Sequence, residues 1–394
     1  MFNDTVHLVT VDEILPLLDD RTRLLGLTEP LHGQEHLPLL RNTLLRALVE
    51  RAGYRSVAVE SCCLRGLDLD ARLARGVPPD AAQVAAGFSH GFGDTASGRE
   101  LASWIAEHNR GAAAGDRVRF AGVDAPMEMA GMDSPRAALE RLHGFLVSRG
   151  APDLPSWDRI DALLGAEDAW TAPAAMWDPA HSIGGGDAVA ELAVLAGDLA
   201  WRHATTAPGG DGPADDDAWW DAGTAARSAT GLLACHRLVA TDGPDRWMLL
   251  SNQRDAMIAA NLAALVERER GRGPTLVFAH QQHLRRGTAS WGETRWNGAG
   301  SLLGPRLGPE LSVVATVLGS APLRRIGPPE QGTIEQALIG ARPGGGVLTA
   351  ARAREIAAGA GVRDAGSREV GYFPADADLL AEVDLVLVVP ELTS

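Results

Sequence analysis

Lysine is absent from all 394 residues, and each of the 36 basic residues is arginine. That absence removes Schiff-base catalysis, pyridoxal phosphate anchoring and the lysine-containing phosphate loop, which all need an amine. Cysteine is scarce. Cys62, Cys63 and Cys235 offer neither a disulfide framework nor a zinc-ligand spacing, so buried thiols in a reducing compartment are expected. Positive charge is short as well. With 51 acidic residues the formal net charge is -15, which argues against a nucleic-acid or anionic-membrane surface. No apolar run approaches membrane-spanning length. The opening MFNDTVHLVTVDEILPLL has no basic segment leading into a long apolar core, so no signal peptide is expected. These absences predict a cytoplasmic protein acting on a small molecule, with no nucleic-acid or membrane partner. They leave its oligomeric state open.

What is present is apolar and periodic. At 45% hydrophobic the chain can bury a large core. Short continuous apolar runs lie at 23–27, 56–60, 118–123, 275–279, 311–318 and 384–389. Continuity rather than alternation marks strands covered on both faces. Helical patterns separate them, so the expected fold class is α/β with a mainly parallel sheet. From 127 to 250 the strand signal vanishes. Helical stretches such as AVAELAVLAGDLAWRH are joined by loops, including APGGDGPADDDAWW at 207–220. The expectation is one structural domain: core segments 1–126 and 251–394, and a lid-like helical insertion, 127–250, over the C-terminal edge of the sheet. The tryptophans of the insertion are expected mostly to pack it, with one or two free to line an apolar pocket.

Ligands of open parallel sheets bind beyond the carboxyl ends of the strands. The strand at 23–27 leads to Glu29 and His32, and the strand at 56–60 ends on Glu60. Asp124 follows 118–123, and His280 and His283 follow 275–279. Acids and histidines thus converge on one edge. The next helix, with Pro38 in its first turn and Gly53 as its stop, carries a stripe of Leu37, Leu40, Leu44, Leu45 and Leu48. Arg41 sits inside that stripe. A buried guanidinium needs a partner, so Arg41 is expected to bond Glu29, Glu60 or both. Arg254 lies on a similar stripe with Met257, Ile258, Asn261 and Leu262. Asp255 reads as part of a cap begun by Asn252, and Asp124, before Ala-Pro, reads as a helix cap.

The His280-x-x-His283 spacing permits a metal but does not diagnose one. The segment GFSHG at 87–91 matches the G-x-S-x-G nucleophile motif, but it follows an Ala-rich helical stretch rather than a strand. What remains is histidine plus carboxylate without a covalent nucleophile. That set suits general-base activation of water or of a substrate hydroxyl, with a second His and an Arg stabilising developing negative charge.

The same segments resemble a known family. LTEPLHG is similar to the G-E-x-x-H-G segment of the erythromycin esterase family, and AVES to its following strand ending in Glu. QRDAMIAANL resembles its Arg-Asp helix, VFAHQQHLRRG its Ala-His-Asn-x-His segment, and VDLVLVVPELT its last strand. The resemblance implies an esterase-like α/β fold and hydrolysis of an ester without metal or cofactor. It makes His32 the base, with Glu29, Arg41, Glu60, His280 and His283 at the other matching positions. Arg254, Asp124 and Gln281 are expected to bind substrate. Thr28 stands where the family has Gly, Pro30 and Leu31 are bulkier than its small residues, and Gln281 replaces Asn. Ser61-Cys62-Cys63 also departs from its pattern. The expected activity is hydrolysis of an ester or lactone in an apolar, natural-product-like substrate. One alternative is a biosynthetic cyclisation, acyl transfer or elimination at the same site. Another is a binding protein with a decayed site.

Overall fold

A computed structural model describes residues 11–128, 131–209, 213–364 and 371–392. Residues 1–10, which begin the stretch read above for a targeting signal, lie outside the described residues. So do 210–212 of the Gly- and Asp-rich segment.

Seven strands form one sheet. In chain order they are β1 (Leu24–Glu29), β2 (Ser56–Cys62), β3 (Arg119–Asp124), β4 (Thr275–His280), β5 (Leu311–Ser320), β6 (Gly346–Thr349) and β7 (Leu385–Glu391). Their spatial order is β6-β7-β5-β1-β4-β2-β3. Every pairing is parallel except β6 with β7. The fold is therefore α/β with a mostly parallel sheet. The central strands β1, β2 and β4 are buried at every position, as their unbroken apolar character requires. The antiparallel edge strand β6 has only four residues and gave no signal beforehand.

Seven helices matter for the site. They are α1 (His36–Ala52), α2 (Cys63–Leu73), α3 (Ala96–Gly111), α4 (Arg136–Ser148), α5 (Asp187–Ala204), α6 (Pro213–Val239) and α7 (Arg246–Glu269). The leucine stripe of α1 is buried against the sheet, and Gly53 ends the helix at φ 70°, a left-handed position where a Cβ would be strained. Between β3 and β4 the described residues form helices and loops, with two-residue strands at Met127–Glu128 and Gly131–Met132. Leu139, Leu142, Leu192, Leu199, Ala225 and Leu233 build a separate apolar cluster there, closed by Cys62, Cys63 and Leu64 at the end of β2 and the start of α2. The expected loop at 207–220 is half wrong, because Pro213 starts α6; proline suits a first turn, where no N–H partner is needed. Trp170 is buried in the cluster, whereas Trp177 and Trp201 are 68% and 67% exposed. All three cysteines are free and buried. Among the described residues no helix is long and apolar enough to cross a membrane.

Candidate active site

Strand register brings the first two groups together. Glu29 ends β1 opposite His280, the last residue of β4. On the other side of β4, the pairing of β2 with β3 slips between Val59 and Cys62. Such irregularities re-aim side chains, and here the slip spans Glu60 at the strand's end. Glu60 is the hub. One of its carboxylate oxygens, Oε2, accepts the backbone N–H of His280 at 2.7 Å. The other, Oε1, lies 3.1 Å from His283 Nε2, 3.3 Å from Arg254 Nη2 and 3.6 Å from His32 Nε2.

His32 sits in the loop beyond β1. Its Nδ1 is 2.7 Å from Glu29 Oε1, and Gln34 steadies the other oxygen of Glu29 at 3.0 Å. The His32 side chain is 41% exposed, whereas those of His283 and Glu60 are 9% and 5% exposed. His32 is thus the member of this cluster that a ligand reaches most easily. Burial disfavours its charge, but Glu60 and Glu29 prevail and push the imidazole up to about 10. His283 is also pushed up to about 10: burial opposes its charge, and Asp255 and Glu60 outweigh it. At neutral pH these shifts favour the imidazolium form of both rings. Glu60 itself is buried, yet His283 and His32 hold it well below the usual carboxylate range.

His280 is different. Burial, reinforced by the neighbouring His32 charge, drives it well below its ordinary value, so it is neutral. Its Nδ1 accepts the N–H of Gln282, capping the short helix Gln281–Leu284, and the ring also bonds the Pro30 backbone. It packs 4.9 Å from the His32 ring, centroid to centroid. The geometry makes it a wall and a brace for the loop holding His32. His283, not His280, supplies the second positive charge.

Several expectations need correction. Arg41 is buried but bonds neither Glu29 nor Glu60. Its Nε and Nη2 donate to Asn42 Oδ1 at 3.0 and 2.7 Å, and it lies over the Phe278 ring. The guanidinium that does reach Glu60 is Arg254, whose Nε and Nη2 also clamp Asp124 at 2.9 and 2.6 Å. Asp124 is not a helix cap, since no helix follows it. Nor can it touch substrate as expected, being completely buried between Arg254 and His90. Burial works against its ionisation, but Arg254 holds its carboxyl down at about 2. Gln281 is also buried, 1% exposed, and donates to the Phe373 carbonyl rather than facing a ligand. Arg254 remains partly open, its side chain 21% exposed.

Asp255 is no cap either. It lies inside α7, 1% exposed, and accepts from His283 Nδ1 at 2.8 Å, Trp296 Nε1 at 2.7 Å and Ala299 N at 2.9 Å. Its role in orienting His283 was missed. The available signal was the one used for Arg41: a charge on an apolar helical stripe, here with Ile258, Ala259 and Leu262. His90, 3.2 Å from Asp124 and in a left-handed conformation at φ 56°, was also missed. Nothing in its Gly-flanked surroundings marked it out.

Among the described residues Ser89 has no histidine partner. Its hydroxyl accepts the Cys62 N–H at 2.8 Å and touches Ser61 Oγ. It is a buried brace for the slipped end of β2, so no base is placed to activate it. Ser89→Ala is expected to leave kcat/KM within about threefold of wild type, while thermal melting registers a lost hydrogen bond worth about 1 kcal/mol. A collapse in kcat/KM with intact folding would restore the serine mechanism. Among the described residues no three His, Cys, Asp or Glu side chains converge as metal ligands do.

A family model described as Erythromycin esterase matches residues 49–392. That range takes in Glu60, Arg254, Asp255, His280 and His283 and starts after Glu29, His32 and Arg41. No curated protein matches the chain significantly. A solved Bacillus cereus protein superposes with a TM-score of 0.69 at 14% identity, covering 98% of this chain and 93% of its own. A succinoglycan biosynthesis protein gives 0.67 at 14% identity, covering 99% and 97%. A mutant of the erythromycin esterase EreC in its open conformation gives 0.67 at 18% identity, covering 96% and 93%. At such identities the three structures speak for the fold.

Proposed function

The chain belongs to the erythromycin esterase family, and from that premise we propose that it hydrolyses an ester or lactone of an apolar, natural-product-like substrate, with His32 as the general base. Family membership supports the coarser statement, an esterase-like hydrolase. The observation that carries the finer one is the pairing of His32 Nδ1 with Glu29 at 2.7 Å, which leaves Nε2, 3.6 Å from Glu60 Oε1, as the less tightly held nitrogen of a half-exposed ring.

The proposed reaction runs from neutral His32. Glu29 keeps the remaining ring proton on Nδ1, so Nε2 presents its lone pair. A water molecule gives a proton to Nε2 as its oxygen attacks the ester carbonyl. The negative charge that develops on the carbonyl oxygen lies in the field of Arg254 and the His283 imidazolium, both already fixed by carboxylates. Such preorganised charge stabilises the transition state more than mobile solvent does. Collapse of the tetrahedral intermediate breaks the bond to the alcohol oxygen, which takes the proton back from His32. The products are a carboxylic acid and an alcohol.

The raised proton affinity of His32 sets the pH dependence. The imidazolium form cannot accept a proton, so kcat/KM is expected to rise with pH as His32 deprotonates. The rising limb should lie above the ordinary histidine value of 6.5, toward about 10. Because His32 and His283 share Glu60, the limb belongs to the cluster rather than to one ring. A pH–rate profile measured from pH 6 to about 10 checks this. Activity already flat from pH 6 upward would contradict a base of raised affinity.

A further inference from the structure

Arg41 is the least compensated charge of the site. It is 3% exposed, yet its hydrogen bonds reach only the neutral oxygen of Asn42, and Nη1 makes none among the described residues. Burial pulls the guanidinium down to about 10, against the attraction of Glu29, Glu100 and Glu35. Arg41 lines a cavity of about 170 Å³ whose apolar walls include Phe88, Phe92 and Phe278. Glu29 and Glu60 line the same cavity, so it adjoins the two carboxylates that hold His32. With Nε and Nη2 committed to Asn42, Nη1 is the donor left for an occupant.

We propose that this cavity is the subsite for one side of the ester, a benzene-sized ring or short branched chain carrying a neutral hydrogen-bond acceptor, held by Arg41. Placing that subsite next to the reacting carbonyl rests on the esterase reading. Size sets one limit. A cavity of roughly 150 Å³ lined by apolar side chains holds one benzene, so a macrolactone ring stays outside and only a small substituent enters. Charge sets the other. Glu29, Glu35 and Glu60 all border the cavity. Each is already engaged: Glu29 by His32 and Gln34, Glu35 by the first N–H groups of α3, and Glu60 by His283, Arg254 and the His280 N–H. None is free to turn toward Arg41, and together they repel a second anion. An amide, ketone or phenol satisfies Nη1 without that repulsion; a carboxylate does not.

Binding, not turnover, tests this, with benzamide, benzoate and toluene titrated calorimetrically into the full chain. Benzamide is expected to bind at least tenfold more tightly than either of the others. Arg41→Met keeps an unbranched apolar stem and removes the donor, so it should erase the preference of benzamide over toluene. Phe92 is only partly buried, and Phe92→Ala should widen the cavity enough to admit 1-naphthamide, which the wild-type chain excludes. That second variant decides the matter if Arg41→Met does not fold. Benzamide binding no better than toluene or benzoate, or naphthamide binding equally to wild type and Phe92→Ala, would overturn the proposal. Benzamide binding with no ester hydrolysed would leave the subsite standing and remove the His32 chemistry. Ester hydrolysis without benzamide binding would do the reverse.

Discussion

Turnover is expected to fall by about 10²–10⁴-fold in His32→Ala and in His32→Asn, the usual cost of losing a positioned base. Folding should survive. His32 is the open member of the cluster, and its removal leaves Glu60 still engaged by His283, Arg254 and the His280 N–H. Steady-state kinetics beside a circular-dichroism melt separates the two effects. Near wild-type activity in either variant would end the assignment of His32 as base. Loss of activity together with loss of the fold would point instead to a structural role.

Glu60→Gln is expected to damage both activity and stability. Glu60 is where His32, His283 and Arg254 meet, and it is what keeps two imidazolium rings charged side by side. An amide cannot compensate them, and its NH₂ group would face at least one donor. Removing one member of a buried charge cluster typically costs about 3–5 kcal/mol, because the others are stranded. The melt should therefore shift clearly downward, and kcat should drop by at least about 100-fold as the field around the developing oxyanion is lost. Asp255→Asn tests the same logic one step away, since Asp255 also holds His283 in its charged form. A Glu60→Gln protein as stable and active as wild type would show that the hub is not one.

The sequence made the scaffold readable because its signals are local. Six of the seven sheet strands announce themselves as continuous apolar runs, and position along those runs identifies the residues at the carboxyl edge. Glu29, Glu60, His280 and His283 follow from that alone. What was not readable was which charge meets which. Arg41 and Arg254 each lie on an apolar helical stripe, and helical periodicity says only that they face inward. The choice between them is made by the placement of α1 and α7 over the sheet, a tertiary fact. It gives Glu60 to Arg254 and leaves Arg41 against Phe278. Asp124 and Asp255 read as caps in the sequence because Asp near an expected helix start usually is one. The real start of α7 is Arg246, so Asp255 falls more than two turns inside, where only a buried partner can hold it. His280 and His283 look equivalent in sequence. Their protonation states differ because Asp255 reaches one ring, whereas burial and the neighbouring His32 charge act on the other.

Single-turnover hydrolysis in heavy-oxygen water tests the central claim most directly. Mass spectrometry of the acid formed from a p-nitrophenyl ester reads out whether water is the nucleophile at His32. One solvent oxygen is expected in the carboxylate, present in wild type and lost with turnover in His32→Asn. A first-turnover acid that forms at the wild-type rate without solvent oxygen would contradict this, because its new oxygen would then come from a protein carboxylate that attacked the ester rather than from water.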